Sequence, residues 1–277
     1  MTDILDHPAD AVPLLALDFE TTGLAYDADD RVIEVGLSRY EPSTGVRTER
    51  SALIYPDGPI ALRSQAIHGI RDEMVADSPT FADVLPWLRP LFSDAVLLAH
   101  NAPFDLGFLA AECARLDAPA PQPAAVVDTL DMARHIFRLP SCRLQAIAKR
   151  IGLPHHGAHR ALADARATLA IFRHMLPHVT PDGVPTVSAL QDLIAAGESA
   201  PRSRQGVREQ LQAAMEQGTT VEIDYTSFKT VGSLTTRRQI TVLKLKSRKV
   251  DAYCHLREAR RTFRLERIRN VLPLSPK

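Results

Sequence analysis

Residues 13–24 read Pro-Leu-Leu-Ala-Leu-Asp-Phe-Glu-Thr-Thr-Gly-Leu, an apolar run that ends in two acidic residues and a glycine-containing turn. The run predicts a buried β-strand from Pro13 to Asp18. Asp18 and Glu20 are two positions apart, so on an extended strand their side chains leave from the same face and can converge on one cation. Taken alone, an Asp-x-Glu pair is better explained by structural salt bridging, and its weight depends on the other residues below.

The elements after this strand predict the fold class. Two more strands with short connections are typical of antiparallel neighbours, and strands then alternate with helices. The predicted strands are 31–40, 47–55, 95–99 and 125–127, and the predicted helices begin at Thr80 or span 103–116, 130–138, 144–151 and 159–176. A meander followed by strand–helix alternation predicts an α/β protein with a mixed sheet flanked by helices.

A third carboxylate, Asp105, lies at the start of a predicted helix that follows the 95–99 strand. Free N–H groups and the helix dipole favour negative charge there, so a lone Asp in this position is more often a cap. The preceding strand would run beside the first strands of the sheet, however. We therefore expect Asp105 to lie near Asp18 and Glu20.

A fourth carboxylate, Asp164, follows His159 by five residues at the start of the last long predicted helix. In an ideal helix these two side chains would point about 140° apart, since there are 3.6 residues per turn. We therefore place His159 on an unwound segment after Gly157, from which it could swing over a bound phosphate.

Four carboxylates and one histidine suit hydrolysis of a phosphodiester bond. Two Mg²⁺ or Mn²⁺ ions, which prefer oxygen ligands, would lie about 3.5 to 4 Å apart and stabilise the attacking and leaving oxygens. Because an unperturbed imidazole is largely neutral near pH 7, His159 could take a proton from the attacking water. Asp128 could be a fifth ligand, although a helix cap is the better interpretation.

These residues lie in segments that resemble the motifs of a known family. The segments are Leu17–Leu24, His68–Ile70, His100–Asp105, Val127–Leu130 and His159–Asp164. They resemble, in order, the exonuclease motifs of the bacterial polymerase proofreading subunit epsilon and its relatives, the DEDDh 3′-to-5′ exonucleases.

The resemblance implies an RNase H-like fold and release of nucleoside 5′-monophosphates from a 3′ end. It implies metal ligation by Asp18, Glu20, Asp105 and Asp164, with His159 as the general base. It also places Thr21, Thr22 and Leu24 against the terminal nucleotide, and we assign Asn101 to the same substrate-binding group.

The charge distribution divides the chain. Residues 1–200 hold 16 Lys and Arg against 26 Asp and Glu, a net charge of −10, whereas residues 201–277 hold 17 against 7, a net charge of +10. Such asymmetry indicates separate roles and a polyanionic partner for the basic segment, although a merely soluble basic domain has the same composition. We predict a flexible tail at 1–11, an exonuclease domain at 12–178, a linker at 179–205 and a basic β module at 206–277.

The segment 206–277 resembles a WYL domain, although Arg248-Lys249-Val250 stands where that family has Trp-Tyr-Leu. The resemblance implies a small Sm-like β-barrel that senses ligands or binds single-stranded nucleic acid. We predict phosphate contacts that would confer salt-dependent affinity without sequence readout. The candidates are Arg238, Arg257, Arg261, Arg264 and Arg267, each of which could equally lie on a solvated face.

Together these features predict a two-metal 3′-to-5′ exonuclease acting on DNA 3′ ends, preferably single-stranded, in DNA repair or end processing. The alternatives are RNA 3′-end trimming of the RNase T type and a non-enzymatic regulator that senses nucleic acid or a nucleotide. Three widely spaced cysteines and the lack of a signal peptide or an apolar span favour the cytoplasm and exclude a membrane protein. Association with a polymerase is not indicated, and the sequence does not report on the oligomeric state.

Overall fold

The computed structural model describes residues 3–26, 29–139, 141–153, 157, 159–180, 183–199, 204–228 and 233–273. The chain divides into two compact units, residues 1–198 and 199–277. No helix among these described residues has the length and apolar character needed to cross a bilayer.

The described strands of the first unit form a five-stranded mixed sheet in the order β3-β2-β1-β4-β5. The first three strands are antiparallel neighbours, and β4 and β5 are added in parallel. The strands are β1 (Leu14–Thr21), β2 (Val32–Glu41), β3 (Val46–Leu53), β4 (Val96–Ala99) and β5 (Ala125–Asp128). This arrangement confirms the predicted α/β mixed sheet flanked by helices.

Helices cover both faces of this sheet. The described helices before residue 200 are α1 (Leu62–His68), α2 (Asp72–Val75), α3 (Phe81–Leu88), α4 (Ala102–Arg115), α5 (Thr129–Asp131), α6 (Leu144–Arg150), α7 (Ala161–Met175) and α8 (Val187–Ser199). A π-helical turn, Met132–Ile136, continues α5. The helix predicted to begin at Thr80 is α3, and a capping box closes its start, where the Asp83 carboxylate accepts a hydrogen bond from the Thr80 N–H at 2.9 Å.

Side chains alternate along β1, so its residues contribute to two hydrophobic cores, one on each face of the sheet. Leu15 and Leu17 pack with α3 and α4 on one face, while Leu14 and Ala16 pack with α7 and α8 on the other. Because side chains alternate along a strand, Asp18 and Glu20 belong to the α7 face. The sheet therefore turns its acidic residues towards the helix that carries Asp164.

Two predicted boundaries of the first domain were wrong. The stretch 179–205, predicted as a linker, contains α8, whose Val187 and Leu190 are fully buried in the core with α7. The stretch 1–11, predicted as a flexible tail, is held from residue 3 onwards, since Ala9 is buried and its N–H donates to the Pro185 carbonyl at 2.9 Å. Both errors have the same cause. A stretch with few apolar residues can still pack into the core when each of those residues is completely buried.

The second unit consists of a helix and an antiparallel sheet. The helix α9 (Arg204–Glu216), which the sequence analysis did not predict, buries Val207, Leu211 and Ala214 against the sheet. The strands run in the order β10-β6-β7-β8-β9 and are β6 (Thr220–Phe228), β7 (Ser233–Leu245), β8 (Lys249–Cys254), β9 (Ala259–Arg264) and β10 (Ile268–Pro273). Contact between the rings of Tyr225 on β6 and Phe263 on β9, 5.0 Å apart, shows that the sheet is curled. The described ladders do not join β9 to β10, so the described residues show a curled antiparallel sheet, and its closure into a barrel stays a prediction.

Candidate active site

The first turn of α7 lies directly on β2, beside the acidic end of β1. A Cβ atom added to Gly36, which pairs with Asp18 in the ladder, would come within 2.1 Å of the Ala161 backbone carbon. Only glycine permits so close an approach. The approach places the buried Asp164 carboxylate next to Asp18 and Glu20.

Asp105 joins this group from α4. Its side chain is only 3% exposed, and its Oδ1 accepts a hydrogen bond from the Phe19 N–H at 3.0 Å. Phe19 stands between Asp18 and Glu20, so this bond fastens Asp105 to the strand that carries both. The expected convergence of carboxylates from β1, α4 and α7 is thus present in the fold.

The carboxylates repel one another at this site. Burial raises the pKa of Asp18 well above its usual value, and the neighbouring Asp105 and Asp164 raise it further. Burial, then Asp164 and Glu34, raise the pKa of Glu20 to about 8, and burial raises that of Asp105 to about 8. A group of acids that resists ionisation in this way is one that a multivalent cation would stabilise in its charged form.

His159 lies on the unwound segment before α7, as predicted, with a left-handed backbone (φ 63°). Its N–H donates to Asp164 Oδ2 at 3.2 Å, and its exposed ring places Nε2 2.8 Å from the side-chain amide nitrogen of Gln145 on α6. Glu20, His159 and Asp164 each offer one possible metal-ligand atom, and these three atoms lie within 4.8 Å of one another. Carboxylate oxygens and an imidazole nitrogen fit a hard divalent cation such as Mg²⁺ or Mn²⁺.

The residues predicted to contact the terminal nucleotide differ in exposure. Thr21 and Thr22 are buried, and their hydroxyls hold the turn, Thr21 by donating to the Gly23 carbonyl and Thr22 by bonding Asp30 at 3.1 Å. Leu24 is 70% exposed at the end of that turn. Asn101, also exposed, begins α4 in a left-handed conformation (φ 87°). Leu24 and Asn101 are therefore the predicted residues that a substrate can reach directly.

The five predicted arginines of the second unit do not form one surface. Arg238 is half-buried over the rings of Tyr225 and Phe263, at 5.5 and 5.8 Å from the two ring centroids. Arg261 and Arg264 are exposed, but their three-residue spacing on β9 directs them to opposite faces. Arg257 is exposed in a short 3₁₀ turn, and Arg267 is half-buried.

A different row of side chains crosses the outer face of this sheet. Thr220, Thr241, Tyr253 and Arg260 are successive partners across β6, β7, β8 and β9. Tyr253 is 36% exposed and contacts the ring of His255 at 5.3 Å. This row was not predicted from the sequence, although the position of Tyr253 between the buried Ala252 and Cys254 signals an outward ring.

Two contacts of the predicted site residues were not identified from the sequence, whereas the cap at Asp128 was. Glu34, opposite Glu20 on β2, pairs with Arg160, and Gln145 contacts His159. Asp128, the suspected cap, accepts hydrogen bonds from the N–H groups of Asn101, Ala102 and Leu130, and so caps both α4 and α5. Apart from the cap, these contacts have no signal in the local sequence pattern, because each joins residues of different elements, 126 positions apart for Glu34 and Arg160 and 14 for Gln145 and His159.

A mixed sheet with this acidic centre, flanked by the turn that carries His159, defines a nuclease of the RNase H-like class. Residues 15–172 match the family model described as Exonuclease, and residues 206–273 match that of the WYL domain. The chain therefore belongs to the exonuclease family, as a 3′-to-5′ exonuclease of the DEDDh type, with a WYL domain in its second unit.

Individual relatives agree with this assignment. The DNA polymerase III subunit epsilon of Treponema pallidum is 38% identical over 170 residues, which cover 60% of this chain and 78% of that protein. Two further relatives are much longer, and the matches cover only 33% and 13% of them.

Solved structures share the fold at low identity. The nuclease domain of 3′hExo, a DEDDh family member solved with rAMP bound, superposes with a TM-score of 0.53 at 20% identity, over 61% of this chain and 94% of that one. A structure of exonuclease I gives a TM-score of 0.55 at 15% identity, over 95% of this chain and 64% of that one.

Proposed function

We propose that this enzyme removes nucleotides from the 3′ end of single-stranded DNA and releases nucleoside 5′-monophosphates. The observation that supports the proposal is the gathering of Asp18, Glu20, Asp105 and Asp164 beside His159, with pKa values that make joint ionisation unfavourable in the absence of a cation. We assign the four carboxylates as the ligands of two divalent ions, Mg²⁺ or Mn²⁺. When bound, such ions supply the positive charge that stabilises the attacking and leaving oxygens of a phosphodiester.

Proton transfer and substrate positioning are assigned to side chains of the protein. His159 takes a proton from the attacking water, and its exposed position lets it approach the scissile phosphate from solvent. Leu24 packs against the terminal base, held outward by the turn that Thr21 and Thr22 close. Asn101, exposed at the start of the helix that carries Asp105, contacts the substrate backbone.

DNA is the favoured substrate because of the likeness to the epsilon subunit of a DNA polymerase. RNA 3′-end trimming is the second candidate. The two substrates differ at the 2′-hydroxyl, and contacts to that group would distinguish them. A role in DNA repair or end processing, without a polymerase, fits a chain whose exonuclease unit is followed by a basic unit. The regulator hypothesis is weaker, because the chain belongs to an enzyme family and the five expected side chains converge.

We further propose that the second unit holds single-stranded nucleic acid while the first unit cleaves it. The row on its outer face combines an exposed aromatic ring, Tyr253, with Arg260 directly across the ladder, and Lys249 and Arg264 form the second pair further along the same face. Aromatic rings stack on bases without regard to sequence, and cations nearby attract phosphates. This face, which includes Arg264, is a better candidate than the five predicted arginines taken together, because those point in several directions.

Matched DNA and RNA oligonucleotides, labelled at either end and incubated with Mg²⁺ or EDTA, test the proposed activity. We expect immediate release of a 3′ label as mononucleotide, a ladder from a 5′ label, faster digestion of DNA than of RNA, and no digestion in EDTA. Asp18→Ala should reduce the rate by more than about 100-fold, because even indirect partners of metal ligands contribute roughly 10- to 100-fold.

Binding of the same oligonucleotides should change little in Asp18→Ala, which separates loss of chemistry from loss of affinity. A variant that digests DNA at the wild-type rate would contradict the assigned site. Faster digestion of RNA would move the assignment to the second candidate.

A further inference from the structure

The start of α7 lacks a capping side chain of its own. Arg160 occupies the cap position and offers no acceptor, so the N–H groups of the first turn must find partners elsewhere. The partner comes from the sheet: Glu34 Oε2 accepts a hydrogen bond from the Ala161 N–H at 3.0 Å. A strand residue 127 positions away in sequence thus caps the helix that carries Asp164.

The same carboxylate holds Arg160 in a two-pronged ion pair. The guanidinium donates from Nη2 to Glu34 Oε1 at 2.7 Å and from Nε to Oε2 at 3.1 Å. Glu34 is 4% exposed, whereas the Arg160 side chain is 44% exposed. The buried partner therefore fixes the exposed one, and with it the backbone between His159 and Ala161.

The position of the pair is unfavourable for a purely structural contact. Glu34 lies opposite Glu20 in the ladder and raises the pKa of Glu20, whereas Arg160 lowers it. A fifth carboxylate beside four others adds repulsion that a salt bridge elsewhere on α7 would avoid. Such a pair exists: Glu49 on β3 bonds Arg166 on α7, with Nε 2.9 Å from Oε1, away from the acidic group.

We propose that Glu34 and Arg160 form a positioning pair that holds the turn from His159 to Asp164 against the sheet, so that the histidine and the last carboxylate face Glu20. The inference rests on the proposed exonuclease site and adds two residues that act through others and need not touch the substrate. Without the pair, the turn keeps the His159–Asp164 hydrogen bond and the packing of Ala161 on Gly36 but loses its hydrogen bonds to β2.

The test compares Glu34→Gln with Glu49→Gln, which removes the matched pair on the same helix. We expect Glu34→Gln to lower kcat by roughly 10- to 100-fold, as loss of an indirect partner of a metal site does, with KM for the oligonucleotide within about threefold of wild type. Glu49→Gln should leave kcat within about twofold of the wild-type value, since the surface ion pair it removes contributes little.

A second readout does not depend on activity. Amide hydrogen exchange of the peptide spanning His159–Asp164 should be at least about tenfold faster in Glu34→Gln than in wild type or Glu49→Gln, because the turn opens locally. If the wild type fails to digest nucleic acid, the proposed function is wrong. The hydrogen-exchange comparison still tests whether Glu34 and Arg160 hold the turn.

Arg160→Gln, altered at a half-exposed side chain, provides the same comparison if Glu34→Gln does not fold. The double variant should be no slower than either single variant, as expected when two residues act as one unit. Equal effects of Glu34→Gln and Glu49→Gln on kcat and exchange, or multiplying losses in the double variant, would overturn the proposal.

Discussion

Burial and mutual repulsion disfavour the ionisation of the acidic site residues in the first unit. Glu20 and Asp105 have pKa values raised to about 8, chiefly by burial, and Asp18 is raised in the same direction. Between the usual carboxylate pKa and about 8, the folded protein therefore binds more protons than the unfolded chain. The free energy of unfolding of the metal-free protein must then fall as pH rises through this interval.

We expect thermal unfolding in EDTA to show this directly. The Tm at pH 8.5 should lie several degrees below that at pH 6, given about 2–4 °C for each kcal/mol lost in a domain of this size. Saturating Mg²⁺ should remove the decline, because it binds the ionised form and so stabilises the folded state at high pH.

The variant Asp105→Asn removes one of the groups with a raised pKa and should flatten the decline in EDTA. A Tm that is constant from pH 6 to 8.5 without metal, or a decline that Mg²⁺ leaves unchanged, would contradict the electrostatic description.

Two of the site carboxylates lie in the first turn of a helix, Asp105 in α4 and Asp164 in α7. The N-terminus of each of these helices is capped by a residue from another element. The N–H groups of Asn101 and Ala102 at the start of α4 bond to Asp128, at 3.0 and 2.8 Å, one turn before Asp105. The start of α7 is capped by Glu34 and rests on Gly36. Strand residues therefore set where the helices begin, and the helices deliver Asp105 and Asp164 to β1.

Asp128→Ala should lower both stability and activity. Three backbone N–H groups would lose their acceptor, which we expect to lower the free energy of unfolding by about 1–3 kcal/mol. The rate kcat should fall as well, because Asn101 leaves its left-handed conformation and Asp105 shifts. Denaturant unfolding and steady-state kinetics measure the two effects.

Asp83→Ala is the matched control, since it removes a cap at the start of α3, on the far side of the sheet from Glu20. It should affect stability while leaving kcat unchanged. If the two variants lower kcat equally, the cap on α4 has no special relation to the site.

The two units of the molecule differ in charge, and the first unit ends later than the sequence predicted. Residues 184–199 contribute to the first core, where Val187 and Leu190 are fully buried and the Gln191 side chain donates to the Val126 carbonyl at 3.0 Å. Residues 3–11 pack with the same stretch. The nuclease unit therefore requires the chain up to about α8, and the basic unit follows it.

Truncation after residue 199 and after residue 178 should give different results. The longer product should fold with kcat near that of the full chain, but with a higher KM and a weaker dependence of binding on salt, since the basic unit is gone. The shorter product loses three buried aliphatic side chains, Val179, Val187 and Leu190, about 4.5–9 kcal/mol of burial, and should melt far lower.

In the full-length chain, Tyr253→Ala should reproduce part of the rise in KM at unchanged kcat. Equal KM values for the full chain and the product ending at residue 199 would remove the anchoring role of the second unit. Equal Tm values for the two truncated products would contradict the assignment of α8 to the first core.

Local patterns in the chain were enough to identify the strands, most helices, the cap at Asp128 and the family motifs, because hydrophobic periodicity and capping act between near neighbours. They also placed His159 before α7 from helix geometry alone. They could not show that Glu34 pairs with Arg160, that Gln145 reaches His159, or that α8 joins the first core. Those contacts join residues of different elements, and only the packing of the sheet and helices against one another brings them together.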